Sequence, residues 1–238
     1  AIKVGPIGRL GRFTATHFRA VVAAWVVIAV GLGFFAPKVE TALSGAGWET
    51  TGSQSVQARN LIDRNFAGLS SYALLTVVYS PTKTVNDAAF RAVVANVEHA
   101  LATDKAVKRV IAPQPGVTIS RDGHTAIVQA GAARSSNGMV KAADNVKSKL
   151  NSLSANGVQV HLTGAAGMWS DFNAANRNAM LKSEVISWPI TLGILLLAFG
   201  SLVAAGLPLM LTMVGLMSAA GLLYLGTLIT PISIWAMN

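Results

Sequence analysis

The sequence predicts an α-helical membrane protein carrying an α+β domain outside the membrane. Three observations carry that reading. From Val185 to Asn238 there is no Asp, Glu, Lys or Arg. A shorter apolar stretch, Ala20–Ala36, follows a basic N-terminus. Between the two lies a segment of mixed charge in which strand-like and helix-like patterns follow one another as β-α-β-β-α-β.

The composition agrees: 52% of residues are hydrophobic and 12% charged, against roughly 25% charged in an ordinary globular chain. A charge at the bilayer centre costs on the order of 2.5–3.5 kcal/mol, so a long uncharged run suits lipid. A buried core helix is the alternative, but such helices run about 8–20 residues. The formal charge of +9 is unevenly placed. Lys3, Arg9, Arg12 and Arg19 come with no acid among them, leaving 15 basic and 10 acidic residues spread over Lys38–Glu184. No stretch interleaves basic and aromatic residues as a single-strand groove does, so nucleic acid is not an expected partner. With no cysteine, there is no disulfide framework, cysteine zinc site or thiol nucleophile.

Taken in order, residues 1–19 form a basic segment, cytoplasmic by the positive-inside rule. Residues 20–36 form the first membrane helix, about 25 Å long at 1.5 Å per residue, with His17 and Arg19 reaching back to the headgroups. The run is longer than the ~7–15 apolar residues of a cleaved signal peptide, and Pro37 follows the nearest candidate cleavage site, so a retained helix is expected. Residues 37–184 form the extracytoplasmic domain. Ser53 is expected to cap a helix over about 53–66. Tyr72–Tyr79 reads as a strand from its β-branched and aromatic content. Thr84-Val-Asn-Asp87 is a capping-box pattern opening a helix whose Phe90, Val93, Val94, Val97 and Leu101 share one face. Val107–Ile111 and Thr125–Gln129 are strands joined through an Arg121-Asp-Gly123 turn. Met139, Val140, Ala143, Val146, Leu150 and Leu153 mark a second amphipathic helix, ended by Asn156-Gly157, and Val158–Thr163 is a strand. This is the order of the ferredoxin-like, or split βαβ, unit. A last helix from about Ala165 meets no breaker before Trp188 and is expected to run into the membrane. Residues 185–238 supply membrane helices 2 (Val185–Phe199), 3 (from Leu207–Pro208, proline in the first turn, to Leu228) and the start of 4 beyond Thr230–Pro231. Trp188, Tyr224 and Trp235 would line the outer interface. The chain begins at alanine and stops within an apolar run, as a piece of a longer protein would.

Few residues suggest chemistry. His17, His99, His124 and His161 have no metal-ligand spacing, and neither a G-x-S-x-G elbow nor a P-loop is present. No catalytic residue, metal site or cofactor is expected, and the protein is not expected to be an enzyme. Asp63 and Asp171 are far apart with nothing linking them. Gly31-Leu-Gly33 and Gly215-x-x-x-Ala219 read as small-residue contacts between membrane helices. Trp48, Phe66, Trp169 and Phe172 flank the ferredoxin-like unit and either line a lipid-accepting cavity or simply pack. The run from Asp171 to Asn178 lines a substrate channel or forms a solvated helix face. No ionisable residue lies in the membrane segments after Glu184, so an ion-driven relay would have to lie beyond Asn238.

Three motifs point to one family. Gly52-Ser-Gln-Ser55 just after the first membrane helix, Phe199-Gly-Ser-Leu-Val-Ala-Ala-Gly-Leu-Pro208 between the second and third, and Thr163-Gly-Ala-Ala-Gly167 at the exit of the last strand resemble stretches of the MMPL family. That family is the mycobacterial-type branch of the resistance–nodulation–division (RND) superfamily, and the resemblance spans essentially the whole chain. It implies two repeats of six helices, each with a porter domain outside, here 37–184. It also implies a proton relay of an Asp-Tyr pair on the fourth helix, absent from this fragment, and export of lipids or other hydrophobic compounds to the envelope. The implied partners are the bilayer, a hydrophobic or lipid substrate, the second repeat and accessory envelope proteins, in the plasma membrane of a bacterium. Gln54 joins Trp48, Phe66, Trp169, Asp171 and Phe172 as candidates for the substrate path. Ala67-Gly-Leu-Ser-Ser71 lacks the acidic residue that some mycolate-exporting relatives have after the equivalent of Phe66, so the resemblance does not single out mycolate. A permease of the MacB or FtsX kind with a separate ATPase, or a membrane-anchored sensor or scaffold, are the rival readings.

Overall fold

The computed structural model describes residues 5–43, 45–46, 49, 52–230 and 232–237. Its elements are α1 (Pro6–Thr16), α2 (Phe18–Phe35), a 3-10 turn (Ala36–Lys38), α3 (Val39–Ala42), α4 (Gln54–Asn65), β1 (Leu74–Tyr79), α5 (Ala88–Ala102), β2 (Val107–Ile111), β3 (Thr125–Ala132), α6 (Ser136–Asn151), β4 (Gln159–Thr163), α7 (Gly164–Phe199), α8 (Leu202–Thr227) and a 3-10 turn (Ile234–Met237). They divide into two compact units: Gly45–Lys182, and Ala1–Ser44 together with Ser183–Asn238. Helix α7 supplies residues to both.

The Gly45–Lys182 unit is built on a small antiparallel sheet in the order β2-β3-β1-β4. The central strand β1 pairs Leu74 with Ala130 of β3 and Val78 with Val160 of β4. Its alternation puts Leu74, Thr76 and Val78 inside, since successive strand side chains face opposite ways. Against that face lie Phe90, Val93, Val97 and Leu101 of α5 and Met139, Val140, Ala143, Val146 and Leu150 of α6, one contiguous core. These are the stripes that the 3.6-residue period marks out. Gly68, in the left-handed region at φ +80, lays its backbone on the end of β3. A Cβ there would stand 2.2 Å from the Ala132 carbonyl oxygen, and the Ala132 amide donates to the Gly68 carbonyl at 2.7 Å.

In the other unit α2 and α8 run side by side and in the same direction, with Leu32 against Gly221 and Phe35 stacked on Tyr224 at 5.4 Å. Among the described residues, three helices are long and apolar enough to cross a membrane: Phe18–Lys38, Gly164–Phe199 and Leu202–Thr227.

Several expectations shift in register. Helix α5 starts at Ala88 with Asp87 as N-cap. The Asp87 carboxylate instead accepts from the Thr84 amide (2.7 Å) and hydroxyl (3.0 Å), half of a capping box, closing a turn ahead of the helix. Ser53 does precede α4, but its hydroxyl faces Ser55 Oγ at 3.2 Å and caps nothing. Helix α8 begins at Leu202 rather than near Pro208, because Gly200 (φ 63) and Ser201 complete the turn in two residues and the Ala205 amide already bonds Ser201. Pro208 sits in the second turn, tolerated as membrane helices tolerate proline.

The close helix contact falls at Gly221, where a Cβ would meet Leu32 backbone at 2.2 Å, while Gly31 and Gly215 have nothing within 4 Å and Gly33 meets only the end of Met217 at 3.3 Å. At about 100° per residue, Gly221 shares a face with Met217 and Tyr224, and Gly215 does not. Where a fourth membrane helix was expected to begin, the described residues form the 3-10 turn Ile234–Met237, and Pro231 lies outside the described residues.

Candidate functional site

Among the described residues, the Gly45–Lys182 unit holds two ion-paired clusters. The first gathers around Arg59 on α4. Its guanidinium makes a bidentate pair with Glu49, Nη1 to Oε1 at 2.5 Å and Nη2 to Oε2 at 2.7 Å, and lies 5.3 Å from the Tyr72 ring centroid. The fork geometry of the guanidinium matches the carboxylate and fixes both side chains. Tyr72, buried, donates its hydroxyl to the Ala46 carbonyl at 2.5 Å. Burial, with the nearby Glu49 carboxylate, pushes the Tyr72 phenol up to about 12, so it remains a donor. Burial pushes the Glu49 carboxyl up, but the Arg59 hydrogen bonds and charge outweigh it and the net shift is downward. These residues and Ser53, Ser55, Val56, Ser71 and Ala165 line an open cavity of about 440 Å³. Its lining thus combines an ion pair, an aromatic ring and three serine hydroxyls.

The second cluster joins α6 to α7. Lys147 Nζ reaches Asp144 at 3.2 Å and Asp171 at 3.1 Å, and donates to Ser170 Oγ at 3.1 Å. The Ser170 hydroxyl donates to Asp144 at 3.1 Å. Desolvation lowers the Lys147 pKa, but the two carboxylates raise it further, for a net upward shift. Next to it Trp169 and Phe172 meet edge to face, centroids 5.7 Å apart. Residues 45–46 are tied to the same helices: Ala46 donates its amide to Asn137 Oδ1 at 3.0 Å, and Asn173 Nδ2 donates to the Gly45 carbonyl at 2.9 Å.

Of the six residues singled out in the sequence, the structure brings together Trp169, Asp171 and Phe172. Trp169 packs on the core while Phe172 is half exposed. Gln54 opens α4 and Phe66 follows its last turn, exposed, so the two stand at opposite ends of that helix. Trp48 lies outside the described residues. Asp63 and Asp171 sit on different helices, α4 and α7, and only Asp171 joins the Lys147 cluster. Sequence reasoning missed Glu49, Arg59, Tyr72 and Lys147. Glu49 and Arg59 are ten positions apart and follow no period; only the i,i+3 spacing of Asp144 and Lys147 was visible as a helix pair. Among the described residues, no group of His, Cys, Asp or Glu could hold a metal ion.

A family model described as "MMPL family" matches residues 47–236. The chain belongs to the MMPL family. It is 27% identical over 233 residues to the "Mycolic acid-containing lipids exporter MmpL11" of Mycolicibacterium smegmatis, covering 94% of this chain and 24% of that protein. It is 31% identical over 98 residues to the "Putative membrane protein SCO6666" of Streptomyces coelicolor, covering 41% of this chain and 14% of that protein. The chain thus spans less than a quarter of the length of either relative. The region matched by the MMPL model contains Arg59, Tyr72, the sheet, and helices α7 and α8.

Proposed function

We propose that this MMPL chain is the N-terminal part of a proton-driven exporter that moves lipids or other hydrophobic compounds to the envelope of a bacterium. The observation that carries the reading is the family match, which runs across the sheet unit and the apolar helices α7 and α8. The relative MmpL11 is named an exporter of mycolic acid-containing lipids, which supports a lipid substrate. In this reading residues 1–19 are cytoplasmic, α2 is the first span, and residues 37–184 form a ferredoxin-like porter domain outside. Span two lies in α7, span three is α8, and a fourth begins after Thr230. The sheet order β2-β3-β1-β4 with both helices on one face supports the ferredoxin-like assignment. In this reading the second repeat and the relay belong to the remainder of the same chain, and accessory envelope proteins are separate partners.

The porter domain would meet the substrate along Trp48, Gln54, Phe66, Trp169, Asp171 and Phe172. The hydroxyl-lined cavity over Arg59 would take the polar head of a lipid, since a guanidinium carries five donors and Glu49 is seen to engage Nη1 and Nη2. Aromatic surface at Trp169 and Phe172 would take apolar chain. Helix α7, unbroken from Gly164 to Phe199, would pass movement between porter domain and membrane.

Deleting the gene and profiling inner and outer envelope lipids tests the proposal. The expected result is one lipid class lost from the outer layer and accumulated within, with the same effect when a protonophore dissipates the proton gradient. An unchanged profile overturns export. Export that survives the protonophore but stops on ATP depletion overturns the proton drive and favours a permease with a separate ATPase.

A further inference from the structure

We propose that α1 is an amphipathic helix seated in the bilayer surface, its arginines on anionic lipid headgroups. The argument starts from its sequence, Pro6-Ile-Gly-Arg-Leu-Gly-Arg-Phe-Thr-Ala-Thr16. At about 100° per residue, Ile7, Leu10, Phe13 and Thr14 fall within an arc of about 120°, and Arg9 and Arg12 centre roughly 130° from Leu10. None of the helix is buried against the rest of the chain. Ile7 is 86% exposed, Leu10 63% and Phe13 55%. An apolar stripe of that size left in water beside basic residues is the composition of a helix lying in a membrane interface.

Three further observations name the occupant as lipid. First, α1 is continuous with a membrane surface: a single residue, His17 at φ −115 and ψ 32, separates it from α2, whose span begins at Phe18. That break ends one helix and starts another, so α1 need not follow the direction of α2. Second, the charge is one-sided. Arg9 and Arg12 precede the span, Arg19 stands in its first turn, and no acid occurs before Glu40, which matches an anionic leaflet and not a mixed protein surface. Third, the helix is prepared for a dry neighbour. The Thr14 hydroxyl, on the apolar face, donates to the Gly11 carbonyl at 2.9 Å, and the Thr16 hydroxyl donates to Arg12 at 2.9 Å. No side-chain donor on the apolar face then needs water. Which leaflet α1 occupies rests on the orientation proposed above; its interfacial seat does not.

The chain's 238 residues contain no cysteine, so spin labels at Leu10→Cys and Ala15→Cys have no competitor within it, and any cysteine elsewhere in the full-length protein is first replaced by serine. Reconstitution is in vesicles of phosphatidylcholine alone or with phosphatidylglycerol at 3:1. The expected result in the anionic vesicles is that the label at position 10 collides preferentially with oxygen. The label at position 15, on the opposite side, collides preferentially with a water-soluble nickel chelate. In R9Q/R12Q, or in pure phosphatidylcholine, the ratio of seated to released α1 falls by about 30-fold, from roughly 1 kcal/mol per basic residue. Nickel access at both positions overturns the proposal, leaving α1 in water. Protection from both reagents at both positions also overturns it, with another protein surface as the occupant. Insertion that ignores phosphatidylglycerol and both arginines overturns the headgroup contact. Because the labels report position and not transport, a protein that seats α1 as described but exports nothing sinks the transport reading alone.

Discussion

The two units of this chain solve opposite problems with the same apolar residues. In Gly45–Lys182 the large side chains point inward: Phe90, Leu101 and Met139 are wholly buried. In the other unit Leu197 and Ile229 are each 89% exposed, and α2 meets α8 through backbone at Gly221. The difference teaches which solvent each unit is built for. Water drives side chains together by burial. Lipid gives no such drive, and helices there associate through close van der Waals fit at small residues.

The sharpest way to break that contrast is to truncate one side chain of each kind. Phe90→Ala empties the middle of the sheet unit and is expected to cost about 3–5 kcal/mol. Leu197→Ala is expected to change stability by less than about 0.5 kcal/mol. Thermal unfolding of the full-length protein in detergent measures both. A comparable loss at Leu197 would mean that its face packs on protein rather than lipid.

Within the apolar unit the corresponding test is glycine. Gly221→Ala places a methyl 2.2 Å from the Leu32 carbonyl oxygen, and backbone cannot swing aside. The expected cost is about 1–3 kcal/mol, as for an overpacked core. Gly215→Ala has open space around it and is expected to be neutral or slightly stabilising, since alanine is the better helix former. Equal effects at the two sites would refute backbone contact as the basis of the α2–α8 pairing.

Next in size is the ion pair that lines the cavity. A charge-assisted bond is worth about 1.5–3 kcal/mol. With side chains 17% and 26% exposed at Arg59 and Glu49, about 1–2 kcal/mol is the expected loss for Arg59→Ala, and Arg59→Lys recovers only part because an ammonium cannot bind both oxygens. Glu49 titrates below its ordinary 4.5. Its contribution is therefore complete above pH 4.5 and disappears as pH falls through the lowered value. Glu49→Gln should be less stable than the parent at pH 7, with the gap closing in acid. A gap that persists at low pH would mean that the amide disturbs packing and that the carboxylate charge is not the source.

How much of this was legible beforehand follows from how local each cause is. The faces of α5 and α6 and the alternation in β1 depend on neighbours a turn or a residue away, and Phe90, Met139 and Leu74 stand where period and composition put them. The start of α8 was misplaced because proline was weighted as a first-turn residue, while the two-residue turn at Gly200–Ser201 decided it. On α2 the sequence points to the right stretch, since Leu32 and Gly33 meet α8; on α8 it points to the right residue type on the wrong face, because Gly221 lies on the side that meets α2 and only the packed helices reveal that side. In the candidate site, Trp169 and Phe172 were visible as aromatics one turn apart. Arg59 and Glu49 meet only through the fold, and nothing in their spacing announces a pair.

The smallest expected effect is at Lys147, and it separates the two polar clusters most clearly. Lys147 has two carboxylate partners, Asp144 and Asp171, whose side chains are 54% and 69% exposed. Exposed pairs are worth about 0–1 kcal/mol and weaken with salt. Asp171→Asn should therefore cost no more than about 0.5 kcal/mol, because Asp144 and the Ser170 hydroxyl keep hold of the ammonium. The loss should vanish at high ionic strength, whereas that of Arg59→Ala should largely survive. Since the Lys147 pKa is raised above 10.5, its contribution is present below that value and is lost only as pH climbs through the raised one. A stability difference between parent and Asp171→Asn that is constant from pH 6 to 9 and declines in stronger alkali fits this pairing. If it instead exceeded that of Arg59→Ala and resisted salt, Asp171 would be buried against something in the assembled protein, and the α6–α7 face would be an interface.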